Sequence, residues 1–236
     1  MESCRRTRLV TASTGDALAL LRCLQLSSPG LPIGAYAYSQ GLEWAVEAAW
    51  VRDETSLREW VREQMGAVLA PVDVAIYARL YHAVSAQDGT LVAHWNAVLL
   101  AHRETRELRG DDRDRGAALS RLLRDFGIRP LSTLAGVDVA LATAHAQLAV
   151  HWALPLAMAV QAYVWAWLEG QVIAGVKLIP LGQAAGQRLL CTLAAELPHV
   201  VDAGLALDDD DIGGSLPALA IASCRHETQY TRLFRS

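Results

Sequence analysis

Seven histidines are the first residues of this chain whose type could hold a metal: His82, His94, His102, His145, His151, His199 and His226. No two stand as H-x-x-x-H on one helix face and no H-E-x-x-H occurs, so the sequence supplies no ready two-ligand surface. His226 and Glu227 are the nearest pair, and adjacent helical residues point apart. Helix packing could still gather His94, His102 and His145, which keeps direct metal binding open as one reading. Asp208–Asp211 sets four carboxylates in a row, without the D-x-D-x-D-G spacing and closing Glu of a calcium loop. That run reads as a solvated loop near a helix N-terminus.

Phosphate and acyl chemistry fare no better. Gly182-Gln-Ala-Ala-Gly186-Gln187-Arg188 has spaced glycines but lacks the Gly-Lys-Ser/Thr end that meets phosphates and Mg²⁺. It reads as a turn entering a helix, and the chain is not expected to be a GTPase itself. No G-x-S-x-G elbow is present. Cys224 stands beside Arg225 and His226, but consecutive helical positions do not make a catalytic pair. The expectation is a non-enzymatic protein with no cofactor. The last stretch is more informative. After the apolar run Leu216–Ala222, residues Ser223–Ser236 are dense in Tyr, Phe and Arg, types enriched in interface cores and hot spots. Two readings stay open for it: a partner-binding tail, or a terminal helix docked on its own core.

The elements that must position these residues read as helices. Leu57, Trp60, Val61, Met65, Val68 and Leu69 form an amphipathic stripe, with Ser56 and Glu59 as a capping box, Asp53 as the rival cap, and Pro71 as the stop. Leu91, Trp95, Val98, Leu99 and His102 make a second stripe, with Asp88-Gly89 as the turn before it. Leu119, Leu122, Leu123 and Phe126 make a third, closed by Gly127. Leu156, Val160, Tyr163, Val164, Trp167 and Leu168 make a fourth, stopped by Gly170, and Leu189, Leu190, Leu193 and Leu197 a fifth, ended by Pro198. Val137–Trp152 is apolar on nearly all sides, the pattern of a helix in the middle of a bundle. Ser28–Gly34, Gly110–Gly116 and Asp208–Ser215 read as loops. Strand alternation is scarce, so the fold class is all-α, a single-domain array of roughly eight to ten helices. Residues 1–15 are expected to form a disordered extension, 16–222 the helical domain and 223–236 a partner-binding tail.

Composition narrows the function classes. Of 236 residues, 53% are apolar and only 19% charged, an excess that must fill a large core or protein–protein surfaces. A net charge of −4 carries no nucleic-acid footprint, so no nucleic acid is expected as partner. Pro155–Gly182 is the candidate membrane span, but Gln161, Glu169, Gln171 and Lys177 interrupt it and Gly170 and Gly175 divide it, so two buried helices are expected and no membrane. Four cysteines without a C-x-x-C pair or a preceding secretory segment predict free thiols in the cytoplasm. Lys177 is the single lysine, which singles it out in a chain whose basic charge is otherwise arginine.

Four ordered motifs carry a resemblance. Ser39-Gln-Gly-Leu-Glu-Trp-Ala-Val-Glu47 follows the loop Ser28-Pro-Gly-Leu-Pro-Ile-Gly-Ala-Tyr-Ala-Tyr38. Glu107-Leu-Arg109 precedes Gly116-Ala-Ala-Leu-Ser-Arg-Leu-Leu123. Trp165-Ala-Trp-Leu-Glu169 precedes Val176-Lys-Leu-Ile-Pro-Leu-Gly-Gln183 and Gly186-Gln-Arg-Leu-Leu190, and Arg225–Ser236 closes the chain. From about Leu18 to the end the sequence resembles the urease accessory protein family UreF. It departs from that pattern at Ala35, Ala37, the charged run before Gly116, and Cys224.

The resemblance implies an all-α homodimer. It implies partners in the accessory protein UreD/UreH, in the GTPase UreG and, through the complex, in apo-urease during nickel insertion. On that analogy Arg225, His226, Glu227, Tyr230, Arg232, Phe234 and Arg235 would carry UreD binding, while Tyr36, Tyr38, Glu43 and Lys177 would face the GTPase. Lys177 has a plainer reading too, as a helix-end lysine lying along apolar surface. Two rival functions remain: a GTPase-activating protein for UreG, for which the many arginines name no finger, and a nickel metallochaperone.

Overall fold

The computed structural model describes residues 14–129 and 131–236, and helices are the only regular elements among them. The expectation for Met1–Gly15 therefore lies outside the described residues except for Thr14 and Gly15, which open the first helix, α1 (Thr14–Leu26). After the Pro/Gly-rich loop and a single 3-10 turn at Ala35–Ala37 comes the short α2 (Leu42–Glu47). Gly41 makes that helix possible. Its φ is +81°, and a Cβ there would lie 2.9 Å from the main-chain nitrogen of Ser223, so only glycine allows α2 to approach the C-terminal helix.

Asp53 caps α3 (Glu54–Gln64). It accepts from Ser56 N at 2.8 Å while its own N–H donates to Ser56 Oγ at 3.1 Å, so the capping box is Asp53–Ser56 and not the Ser56–Glu59 pair. The helix does not end at Pro71. It passes through a π-helical stretch, Met65–Val74, into α4 (Ala75–Ser85), one continuous run of 32 residues. Proline breaks α-helical pairing because it lacks an N–H and crowds the carbonyl four residues back. The wider π turn accommodates that ring, and the Pro71 carbonyl accepts from Gly213 N at 3.2 Å. This run, Glu54–Ser85, is long and apolar enough to cross a membrane, and 61% of its most apolar window is buried inside the protein.

Asp88 caps α5 (Gly89–Ala101) through Thr90 N and Leu91 N, both at 3.0 Å, as the turn at Asp88-Gly89 predicts. Thr105 caps α6 (Arg106–Asp125), whose 20 residues run straight through Gly110–Gly116. The loop expected there is helical, with Asp111, Asp112 and Gly116 buried and Arg113 and Asp114 exposed. Asp111 is 1% exposed and pairs with Arg115 one turn on, while Asp112 is 3% exposed and pairs with Arg103. Charges that periodicity assigns to solvent are satisfied inside instead. The central helix is α7 (Leu141–His151), buried from Leu141 to Ala149 and packed against α4, α6 and α8. Side chains of its neighbours start it: Asn96 Oδ1 accepts from Ala140 N at 2.9 Å and Asp112 Oδ1 from Leu141 N at 2.6 Å.

α8 (Leu156–Leu178) is one helix of 23 residues, not two. Gly170 and Gly175 do not stop it. At Gly175 the missing side chain is filled by the Leu57 side chain of α3, so the glycine marks a close helix crossing. α9 (Gln183–Ala194) and α10 (Leu197–Leu205) follow, and Pro198 sits in the first turn of α10, where a missing N–H is harmless. The acidic run forms a 3-10 turn at Asp209–Asp211 before α11 (Pro217–His226). Cys23, Cys191 and Cys224 are free thiols.

Candidate functional site

Two regions collect the chain's polar chemistry. The first is internal. A cavity of about 90 Å³ is walled by Gln40, Asp73, Arg103, Asp112, His145 and Tyr163, among others. Arg103, from the loop after α5, forks between Asp73 on the π-helical stretch, at 2.6 and 3.1 Å, and Asp112 on α6, at 2.6 Å. Tyr163 on α8 donates to Asp73 Oδ1 at 3.1 Å. Burial, then the carboxylates of Asp73 and Asp112, push the Tyr163 phenol well above its ordinary range, so it stays a donor. Burial also pushes the Asp111 carboxyl up, against the opposing pull of Arg115.

His145 borders the same cavity. Its Nδ1 meets Tyr77 Oη at 2.7 Å, while Nε2 has no hydrogen-bond partner. Desolvation lowers its pKa to about 3, so the imidazole is neutral at physiological pH. Of the histidines the sequence could gather, His94 is exposed, His102 half-buried and His145 buried. Among the described residues no three His, Cys, Asp or Glu side chains stand where they could share an ion.

The second region is the seat of the C-terminal tail, and most of the residues singled out by sequence meet there. The carboxylate of Glu43, on α2, is its centre. Oε1 accepts from Leu233 N at 2.6 Å, and Oε2 accepts from Phe234 N at 2.8 Å and faces His226 Nε2 at 3.1 Å. His226 is fully buried at the end of α11, and its other ring nitrogen lies 2.6 Å from Glu107 Oε2 on α6. Glu107 also pairs with Arg232, whose guanidinium reaches the main-chain oxygen of Arg235 as well. Further along, Arg235 N donates to Ala37 O at 2.7 Å. The main-chain oxygen of Ser236 accepts from Ser39 Oγ at 2.7 Å, from Gln40 N at 3.0 Å and from Ser39 N.

Gln40 joins the two regions. It holds φ at +52°, a left-handed conformation costly for a side chain of this size, and its amide is fixed on three sides. Nε2 donates to Asp111 at 2.8 Å, and Oε1 accepts from Trp167 at 3.0 Å and from Gln171 at 2.9 Å.

Lys177 sits between two aromatic rings, its Nζ 5.5 Å from the centroids of both Tyr36 and Phe234. The first loop, the end of α8 and the tail thus meet at one cation. Tyr36 is 44% exposed there, whereas Phe234 is buried. Tyr38 is buried, donates to Asp114 at 3.1 Å and lies under the Arg115 guanidinium. Tyr38 and Glu43 are therefore turned inward, Tyr38 against α6 and Glu43 beneath Leu233 and Phe234 of the tail. On the other flank, Arg225 and the fully exposed Tyr230 line a groove with Trp44, Glu47, Trp50 and Ile221, the two tryptophans meeting edge to face at 4.9 Å. Glu227 is the C-cap of α11.

Sequence reasoning did not single out Ser39, Gln40 or Glu107 individually, nor the buried Asp73–Arg103–Asp112 group. Ser39, Gln40 and Glu107 lie within the quoted motifs, which is the one signal that touched them.

A family model described as UreF matches residues 51–194. A protein named urease accessory protein UreF from Pseudomonas putida (strain W619) is 56% identical over 228 residues, covering 93% of this chain and 98% of the relative. Proteins of the same name from Alkalilimnicola ehrlichii and Azoarcus sp. (strain BH72) are 48% and 47% identical, each over 96% of this chain and 100% and 99% of the relative.

Proposed function

The chain belongs to the UreF family of urease accessory proteins, and from that premise we propose that it is a non-enzymatic adaptor in the maturation of the urease nickel centre. It works in the cytoplasm as a homodimer. It bridges the accessory protein UreD/UreH and the GTPase UreG, and through that assembly reaches apo-urease. The tail, Arg225 to Arg235, carries the UreD contact. Tyr36 and Lys177 belong to the GTPase side.

The observation that carries this reading is the docked tail. Its main chain is tied down at Leu233, Phe234, Arg235 and Ser236, which leaves Tyr230, Leu233 and Arg225 facing out, with exposures of 103% and 65% for the first two. Rigid aromatic and arginine side chains on an ordered segment are what a protein partner anchors on. Tyr36 and Lys177 open on the opposite end of the same tail, so one segment touches two surfaces.

The test is nickel loading. Apo-urease is incubated with UreD, GTP-loaded UreG, nickel and bicarbonate, with and without this chain, and metal content is measured. Nickel occupancy should fall to the unassisted level when the chain is left out. Equal occupancy in both arms would contradict the adaptor role.

A further inference from the structure

We propose that Glu43, supported by Glu107, is a positioning residue that holds residues 229–236 in the docked form a partner meets. The proposal rests on the adaptor reading above and adds its control point. One carboxylate accepts from two successive amides, Leu233 and Phe234, and faces the buried His226 ring, whose second nitrogen meets Glu107. Among the described residues no other side chain makes hydrogen bonds to two consecutive main-chain amides of the tail, and Glu43 is only 7% exposed. The tail supplies little apolar anchorage of its own: Phe234 is buried, while Tyr230 and Leu233 are exposed. Capture of these two amides by a fixed carboxylate, beside the ties at Arg235 and Ser236, therefore stabilises the docked form of this segment. A segment already in its bound conformation binds more tightly, because the docked fraction divides directly into the apparent dissociation constant.

The experiment uses the full chain as wild type, Glu43→Gln and the double variant Glu43→Gln/Glu107→Gln. Amide hydrogen exchange gives the docked fraction from Leu233 and Phe234, and protection across α7 and α8 verifies the fold. Affinity for the UreD/UreH-type partner is measured on the same samples. Loss of charge-assisted bonds should speed exchange at Leu233 and Phe234 on the order of tenfold to a hundredfold in Glu43→Gln. In the double variant the dissociation constant should rise by the same factor by which the docked fraction falls. A part with only a packing role would not produce that proportion. Unchanged exchange at Leu233 and Phe234 in both variants overturns the proposal, as does an affinity that ignores the docked fraction. Absence of partner binding by the wild type overturns the adaptor reading and the proposal with it, whereas binding that is insensitive to docking overturns the proposal alone.

Discussion

The interior group of Asp73, Arg103 and Asp112 and the tail clamp of Glu43, His226 and Glu107 are built from the same materials and behave differently. Both bury carboxylates against nitrogen donors. Inside, the donor is a guanidinium forked between two helices, and each partner is itself fixed by a third element, Tyr163 on Asp73 and Leu141 N on Asp112. At the clamp, two of the donors are main-chain amides of the tail. The first arrangement locks helices to one another. The second helps order a terminal segment, so its loss is local.

The sharpest way to break the comparison is Arg103→Ala. It strands two carboxylates that are 8% and 4% exposed as side chains, and breaking a buried pair this way costs ~3–5 kcal/mol. Urea unfolding should show that loss, whereas Glu43→Gln should leave the urea midpoint nearly in place. Equal effects from the two would erase the distinction.

Gly41→Ala is next. It combines a positive φ with a Cβ in contact range of Ser223 N, and should cost ~1–3 kcal/mol while loosening the tail seat. Thermal unfolding paired with exchange at Phe234 would read both effects.

A smaller, pH-dependent effect belongs to the interior. His145 titrates at about 3 in the fold against 6.5 when unfolded, so below 6.5 the unfolded chain binds the extra proton and stability falls as the pH falls. Between pH 7.5 and 5.5 this group should account for about 1.4 kcal/mol of lost stability. His145→Gln should remove that part of the slope, whatever it does to absolute stability, and chemical unfolding at the two pH values gives both slopes. Smallest of all is Leu233→Ala. With the side chain 65% exposed and the amide bond to Glu43 retained, stability should change by less than about 0.5 kcal/mol, and denaturation curves should nearly overlay.

The same contrast explains what could be read from sequence. Apolar stripes placed the helices because helix burial is a local, periodic signal: Leu57, Trp60 and Val61 on α3 and Leu156 through Leu168 on α8 lie where their spacing puts them. Local breakers misled wherever a distant residue rescued them. Pro71 is carried by a π turn and by Gly213, Gly175 by Leu57, and the Gly110–Gly116 charges by Arg103 and Leu141. The tail's aromatic and arginine content marked it for attention, and of the two open readings the structure shows the segment docked on its own core, with Tyr230 and Arg225 outward. Glu43 could not be placed from sequence, because its partners stand 183 to 191 positions away.

The most direct test of the adaptor account is size-exclusion chromatography with light scattering on this chain mixed with UreD and GTP-loaded UreG. The account predicts one co-eluting complex whose mass contains two copies of this chain with both partners. Separate elution of all three, with this chain folded, would contradict it.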